Sequence, residues 1–196
     1  MAIIVVGGHA RNVGKTSLVS AIIAAWPERS WTAMKLSSHW HNNAPSPDVS
    51  MLDGICRIHE ERVPEGDTDS GRFLAAGASR AYWIRIQNGR MQQALPHLMP
   101  LWGSSPNVII ESNGIVHYVH SDLFLMVVRS DVDDFKESAS SALLKTDAIV
   151  SVGNGPSGVV RKRISEIASR DIPVFHVPEP LHLTAELKDF IRRCLQ

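Results

Sequence analysis

Cysteine is scarce in this chain of 196 residues. There are two, Cys56 and Cys194, and no C-x-x-C pair, which leaves no disulfide framework and fits a reducing compartment. An excess of charge of one sign is also missing. Twenty Lys and Arg offset twenty Asp and Glu, for a formal net charge of +0 and a pI near 7.1. Without massed cations the chain has no broad footprint for nucleic acid or anionic membrane. No apolar run approaches the ~20 residues of a transmembrane helix; the longest strong one is Leu123–Val128. The opening Met1-Ala2-Ile3-Ile4-Val5-Val6 carries no basic residue and is broken by Gly7 and Gly8, unlike a secretory signal. Repeats, low-complexity tracts and long polar linkers are absent too. The expectation is a cytoplasmic protein, one domain over 1–196, with no nucleic-acid or membrane partner.

What the sequence does hold is alternation. Short β-rich apolar runs stand at Ile3–Val6, Trp31–Leu36, Ala81–Ile86, Val108–Ile110, Leu123–Val128, Ala148–Val152 and Pro173–Val177. Several are apolar on consecutive residues, as strands covered on both faces are. Helical stripes fit between them. Leu18, Val19, Ile22, Ile23 and Trp26 recur at helical spacing until Pro27, and Leu187, Phe190, Ile191 and Cys194 do the same near the C-terminus, so both read as core faces. The pattern predicts an α/β fold, a doubly wound, mainly parallel sheet of about seven strands. The stretch from Ser37 to Pro64, rich in Pro, Gly and His, is predicted to carry loops over the active edge.

The strongest motif directly follows the first strand. Gly7-Gly8-His9-Ala10-Arg11-Asn12-Val13-Gly14-Lys15-Thr16-Ser17 leads into the first amphipathic helix. Strand, glycine-containing loop, Gly-Lys-Thr and helix form the context of a phosphate-binding loop. Its N–H groups and the helix N-terminus converge on anionic oxygens. Lys15 is expected at the β- and γ-phosphates, Thr16 with its hydroxyl on Mg²⁺. Gly8 and His9 through Ser17 are the expected nucleotide-binding residues. The spacing departs from G-x-x-x-x-G-K-[ST], because His9 stands where the first glycine belongs and Gly8 lies one residue earlier. A second signal lies in Asn107-Val108-Ile109-Ile110-Glu111-Ser112-Asn113-Gly114: Glu111 falls just beyond an apolar strand, where a carboxylate meets the Mg²⁺ shell.

Together with the middle segment, these motifs resemble the MobB family, the molybdopterin-guanine dinucleotide biosynthesis adaptor proteins, of the broad P-loop nucleoside triphosphatase class. Besides the phosphate loop, the likeness rests on Met34-Lys35 followed by His39 and His41, on Asp69-Ser70 with Ala76-Gly77-Ala78 five residues later, on Val108–Gly114, and on Ile172-Pro173-Val174-Phe175 leading into Leu187–Ile191. The loop between Gly8 and Gly14 resembles that of dethiobiotin synthetase. Family members commonly have Glu-Gly-Phe where this chain has Glu111-Ser112-Asn113, and a phosphate loop one residue shorter. The resemblance implies a Mg²⁺-dependent nucleoside triphosphate site, GTP or ATP, slow hydrolysis, a partner enzyme of cofactor biosynthesis and a homodimer. The alternative is a ligase or kinase of the dethiobiotin synthetase type that phosphorylates a small carboxylate acceptor.

The remaining candidates each carry two readings. Lys35 is a candidate catalytic cation at a strand end, or a solvated lysine. Asp69 is a candidate to orient water or Mg²⁺, or the N-cap of a helix through Arg72, Phe73 and Leu74. Asn154 follows the strand Ala148–Val152, where dethiobiotin synthetase-like proteins place an Asn on the base, or is a plain turn. Val177-Pro178-Glu179-Pro180 is the expected other wall of that pocket. Lys145-Thr146-Asp147 precedes a strand and so reads as a helix end and turn, although it imitates a guanine-reading motif. His39-x-His41 with Cys56-x-x-His59 lacks a doubled C-x-x-C framework, which disfavours structural zinc. His117 and His120 are expected at the surface.

Overall fold

The computed structural model describes residues 1–38, 49–52, 54–64, 67–103, 105–129, 131–153, 157–167 and 171–195. The chain runs β1 (Ala2–Gly8), α1 (Lys15–Ala25), β2 (Trp31–Ser37), β3 (Val49–Leu52), β4 (Cys56–Glu61), α2 (Asp69–Ala75), β5 (Arg80–Ile86), α3 (Met91–Trp102), β6 (Asn107–Glu111), β7 (Leu123–Arg129), α4 (Glu137–Leu143), β8 (Ala148–Val152), α5 (Gly158–Ile167), β9 (Val174–Val177) and α6 (Ala185–Cys194). Its strands form one sheet in the order β3-β4-β5-β2-β6-β1-β7-β8-β9. From β5 to β9 every pairing is parallel. All seven apolar runs of the sequence are strands of this sheet.

Helices cover both faces. Ile4 and Val6 of β1 join Leu18, Val19, Ile22 and Ile23 of α1 and Leu187 and Ile191 of α6 in one core. Val5, one residue out of phase, lies with Ala94 and Leu98 of α3, Ala139 and Leu143 of α4 and Val160 of α5 in the other. A strand apolar on every residue is thus a strand with two interiors, since successive side chains point to opposite faces. As the sequence predicts, α1 ends before Pro27, with Trp26 as its C-cap.

The stretch read as loops departs from expectation. Two antiparallel strands, β3 and β4, extend the sheet beyond β5, with Leu52 opposite Cys56 and Cys56 opposite Ile86. Among the described residues the sheet has nine strands, where about seven are predicted. Cys56 and Ile58 of β4 are buried while Arg57 and His59 between and beyond them are half-buried. That short alternation, set among charged residues, is too weak to stand out beside the continuous apolar runs of the central strands. It also separates Cys56 from His59, because residues three apart on a strand face opposite sides.

The carboxyl ends of β1, β2 and β6, which are neighbours, set the phosphate loop beside Lys35 and Glu111. Register does the rest: Val6 and Lys35 both lie opposite Glu111.

Candidate nucleotide-binding site

The loop after β1 is held by contacts the local sequence does not reveal. Asn113, just past β6, accepts from the Gly8 N–H through Oδ1 at 2.8 Å and donates through Nδ2 to the Gly8 carbonyl at 3.0 Å. The position where Glu111-Ser112-Asn113 departs from Glu-Gly-Phe is therefore a clamp on the loop. His9 is fully buried. Its backbone N–H donates to the Val127 carbonyl at 3.1 Å, and its Nε2 donates to the Val132 carbonyl at 2.9 Å. Its ring leans on Phe135, centroids 5.7 Å apart. These bonds turn His9 away from the cavity, whose lining runs from Gly8 to Ala10 and on through Ser17 without it.

Close packing explains the glycine before the loop. A Cβ on Gly7 would lie 2.6 Å from Asn113 Oδ1 and 2.8 Å from the Phe124 ring, inside any acceptable contact. Gly7→Ala is expected to destabilise the protein by roughly 1–3 kcal/mol, the range for overpacking, read from the denaturation midpoint. An unchanged midpoint would mean that Asn113 yields freely. At the other end of the loop Gly14 has φ +102°, a conformation that a side chain strains.

Lys15 opens α1 and folds back across the loop, donating from Nζ to the Ala10 carbonyl at 2.8 Å. Burial, opposed in part by the Glu111 carboxylate, pushes its pKa down to about 8. Two consequences of opposite sign follow. Between about 8 and 10.5 the unfolded chain binds more protons at this residue, so the ligand-free protein gains stability as pH rises through that window. A polyanion needs the charged form, so its affinity is flat below pH ~8 and falls above it. Calorimetric titration from pH ~7 to ~9 checks this, with Lys15→Arg expected to abolish the decline because arginine keeps its charge.

Beside Lys15 lies a charged cluster. Thr16 Oγ1 donates to Glu111 Oε2 at 2.8 Å, and Glu111 is 1% exposed. Lys35 Nζ donates to Glu111 Oε1 and stands 3.0 Å from Asp69 Oδ2. Burial opposes ionisation of Asp69, but the Lys35 charge and hydrogen bond, with help from Thr16 and Arg72, hold its pKa below the ordinary value. Asp69 is not the helix cap. Thr68 takes that role, its Oγ1 accepting from the Gly71 N–H at 2.9 Å, and this leaves the Asp69 carboxylate to Lys35. Lys35 likewise is no solvated strand-end lysine, since its side chain is 19% exposed between two carboxylates.

A cavity of about 800 Å³ gathers these groups. Its lining includes Lys15, Thr16, Lys35, Asp69 and Glu111 and continues past Lys35 to Gln87 and Asn88 after β5. Arg129 and Lys136, which the sequence reading does not single out, also line it. The Arg129 guanidinium holds Asp131 and Glu179 at 2.8 Å each, tying the end of β7 to the segment expected as a base-pocket wall. Only that through-space pairing marks it; in the sequence it is one of many arginines. His117 is exposed, as expected, and stands at the cavity rim. Lys145 reaches the Val116 carbonyl at 2.8 Å and Asp147 accepts from the Phe124 N–H at 2.8 Å, a helix end and turn ahead of β8. His39, His41 and Asn154 lie outside the described residues.

One hydroxyl and two carboxylates make a donor set for a hard divalent cation that takes its remaining oxygens from water and phosphate. Among the described residues no three His, Cys, Asp or Glu form a metal cluster, so these side chains would supply only part of an ion's shell. Thr16, Glu111 and Asp69 are the residues that would hold the ion.

A parallel sheet whose first strand runs into a Gly-Lys-Thr loop at a helix N-terminus, with an acid-ended strand alongside, is the architecture of the P-loop nucleoside triphosphatases. The sequence matches no family profile and no curated protein. Solved structures do resemble it. The hydrogenase maturation factor HypB from Archaeoglobus fulgidus aligns with a TM-score of 0.58 at 14% identity, over 100% of this chain and 91% of that one. HypB from Helicobacter pylori, solved in complex with nickel, gives 0.56 at 13% identity, over 99% and 86%. A Zn(II)-bound form of the YjiA GTPase gives 0.52 at 14% identity, over 95% of this chain and 60% of that one. At such identities the likeness establishes the fold. No helix among the described residues is long and apolar enough to cross a membrane.

Proposed function

We propose that this protein binds a nucleoside triphosphate with Mg²⁺, hydrolyses it slowly and serves as a MobB-like accessory protein of cofactor biosynthesis. The observation that carries the reading is the convergence of Lys15 at the loop, Thr16 at the helix N-terminus and the buried Glu111 on one cavity. Such groups place a cation, an Mg²⁺-binding hydroxyl and a carboxylate around the terminal phosphates. GTP is the favoured nucleotide, which fits the MobB resemblance and the GTPase among the structural neighbours. The accessory role fits the maturation factors among them. The partners proposed are an enzyme of cofactor assembly and a second copy of this chain.

Hydrolysis is proposed to be slow because positioning and charge stabilisation do most of the work of phosphoryl transfer. Asp69, the candidate to orient water, is engaged by Lys35. A thermal-shift screen of ATP, GTP, CTP and UTP with Mg²⁺ tests binding, since a ligand at a hundredfold excess over Kd adds about 2.7 kcal/mol. No shift with any of them would overturn the proposal. Turnover of the isolated protein is expected below the roughly 1–100 per second of kinases, and phosphate release within that range would count against an accessory role. One observation favours an acceptor-phosphorylating enzyme instead: the cavity continues past Lys35 to Gln87 and Asn88. Phosphate release triggered by a small carboxylate and lost in Lys35→Ala would support that second reading.

A further inference from the structure

The Lys35 ammonium stands on both carboxylates named above as able to hold Mg²⁺. It bonds Glu111 Oε1 and lies 3.0 Å from Asp69 Oδ2, and Glu111 also accepts from Thr16. Both carboxylates proposed for Mg²⁺ are thus already neutralised in part by a side chain of the chain itself. Of these groups Glu111 is 1% exposed, Lys35 19% and Asp69 39%, so Glu111 is the charge that depends most on its partner. Removing one partner of such a pair leaves the other buried and uncompensated, which costs far more than the pair gains by forming.

We infer that Lys35 is a built-in substitute for the divalent cation, which it excludes from Glu111 and Asp69 until an anion arrives to take the ammonium. The charges explain why each ligand needs the other. A metal ion alone would have to drive Lys35 off two carboxylates toward Lys15, a cation that repels it. A triphosphate alone would draw Lys35 away and leave Glu111 to the Lys15 charge, which the phosphates also engage. Arriving together, the metal ion neutralises the carboxylates and the phosphate oxygens receive Lys35. Anion and metal binding are then reciprocally coupled through one side chain, as linkage requires. No covalent bond changes; one cation exchanges for another at the same oxygens.

This inference rests on the nucleotide reading for the identity of the anion, and its test separates the two. Mn²⁺ is the probe, titrated into the nucleotide-free protein and followed by electron paramagnetic resonance. Lys35→Met is expected to bind Mn²⁺ roughly ten- to a hundredfold more tightly than wild type, the usual size of a coupling between sites, and Lys35→Arg to stay as weak as wild type. Equal Mn²⁺ affinity in wild type and Lys35→Met overturns the inference. Should Lys35→Met fail to fold, the wild type decides alone: orthophosphate, offered as a partner for Lys35, is expected to strengthen Mn²⁺ binding by a similar factor, and no strengthening overturns it. A wild type that binds triphosphate but shows neither effect loses only the exchange; one that binds no triphosphate loses the nucleotide reading, while the Mn²⁺ comparison still stands.

Discussion

Lys15→Ala is expected to lower triphosphate affinity by about a hundredfold or more while leaving the ligand-free protein folded. Truncating one member of a desolvated charge pair costs roughly 2–5 kcal/mol, and each 1.4 kcal/mol is about tenfold in affinity. The stability half of the expectation comes from the same side chain. In the ligand-free protein Lys15 gives one hydrogen bond to the Ala10 carbonyl and has its pKa pushed down by burial, so its charge is a burden on the fold. The helix behind it is anchored by Leu18, Val19, Ile22 and Ile23, all fully buried. Calorimetry with the preferred triphosphate and a melting curve without it measure the two halves. Wild-type affinity in the variant would remove Lys15 from the site, and a collapsed melting curve would make it a structural residue.

The second large effect is expected for Glu111→Gln. The amide keeps the shape of the carboxylate and can still accept from Thr16, but it removes the charge that a divalent cation needs. The gain in triphosphate affinity on adding Mg²⁺ is expected to fall by roughly tenfold, about 1.4 kcal/mol, while affinity without metal changes less. Lys35 retains Asp69 as a partner at 3.0 Å, which limits the loss of stability to about 1–3 kcal/mol, the cost of one buried hydrogen-bond partner. Titrations of both proteins with and without Mg²⁺ decide the matter. The same Mg²⁺ gain in each would return Glu111 to a purely structural role. An independent fall in both affinities would instead assign it to the loop itself.

Local patterns carried much of this protein. The central strands are continuous apolar runs because they have helices on both faces, and that pattern is readable without knowing which helix covers which face. The stripes of α1 and α6 are readable for the same reason, and the Gly14-Lys15-Thr16 turn is readable because strand, loop and helix are contiguous. Glu111 was identifiable as an acid at a strand end, although nothing in its own segment says which strand lies beside it.

The rest depended on contacts between residues far apart in the chain. Asn113 reaches Gly8 across 105 positions, and Lys35 reaches Glu111 across 76. Both pairings exist because β6 lies between β1 and β2 in the sheet, an order that local periodicity does not contain. The same holds for His9, whose burial against Val127 and Val132 removes it from the cavity, and for β4, whose few inward residues become a strand by pairing with β3 and β5. Composition and periodicity set which segments are strands, which are helices and where phosphate is expected, since these follow from side chains near one another in sequence. Strand order brought the Lys35 ammonium onto Glu111 and the start of α2 added Asp69, because hydrogen bonds and ion pairs form between neighbours in space.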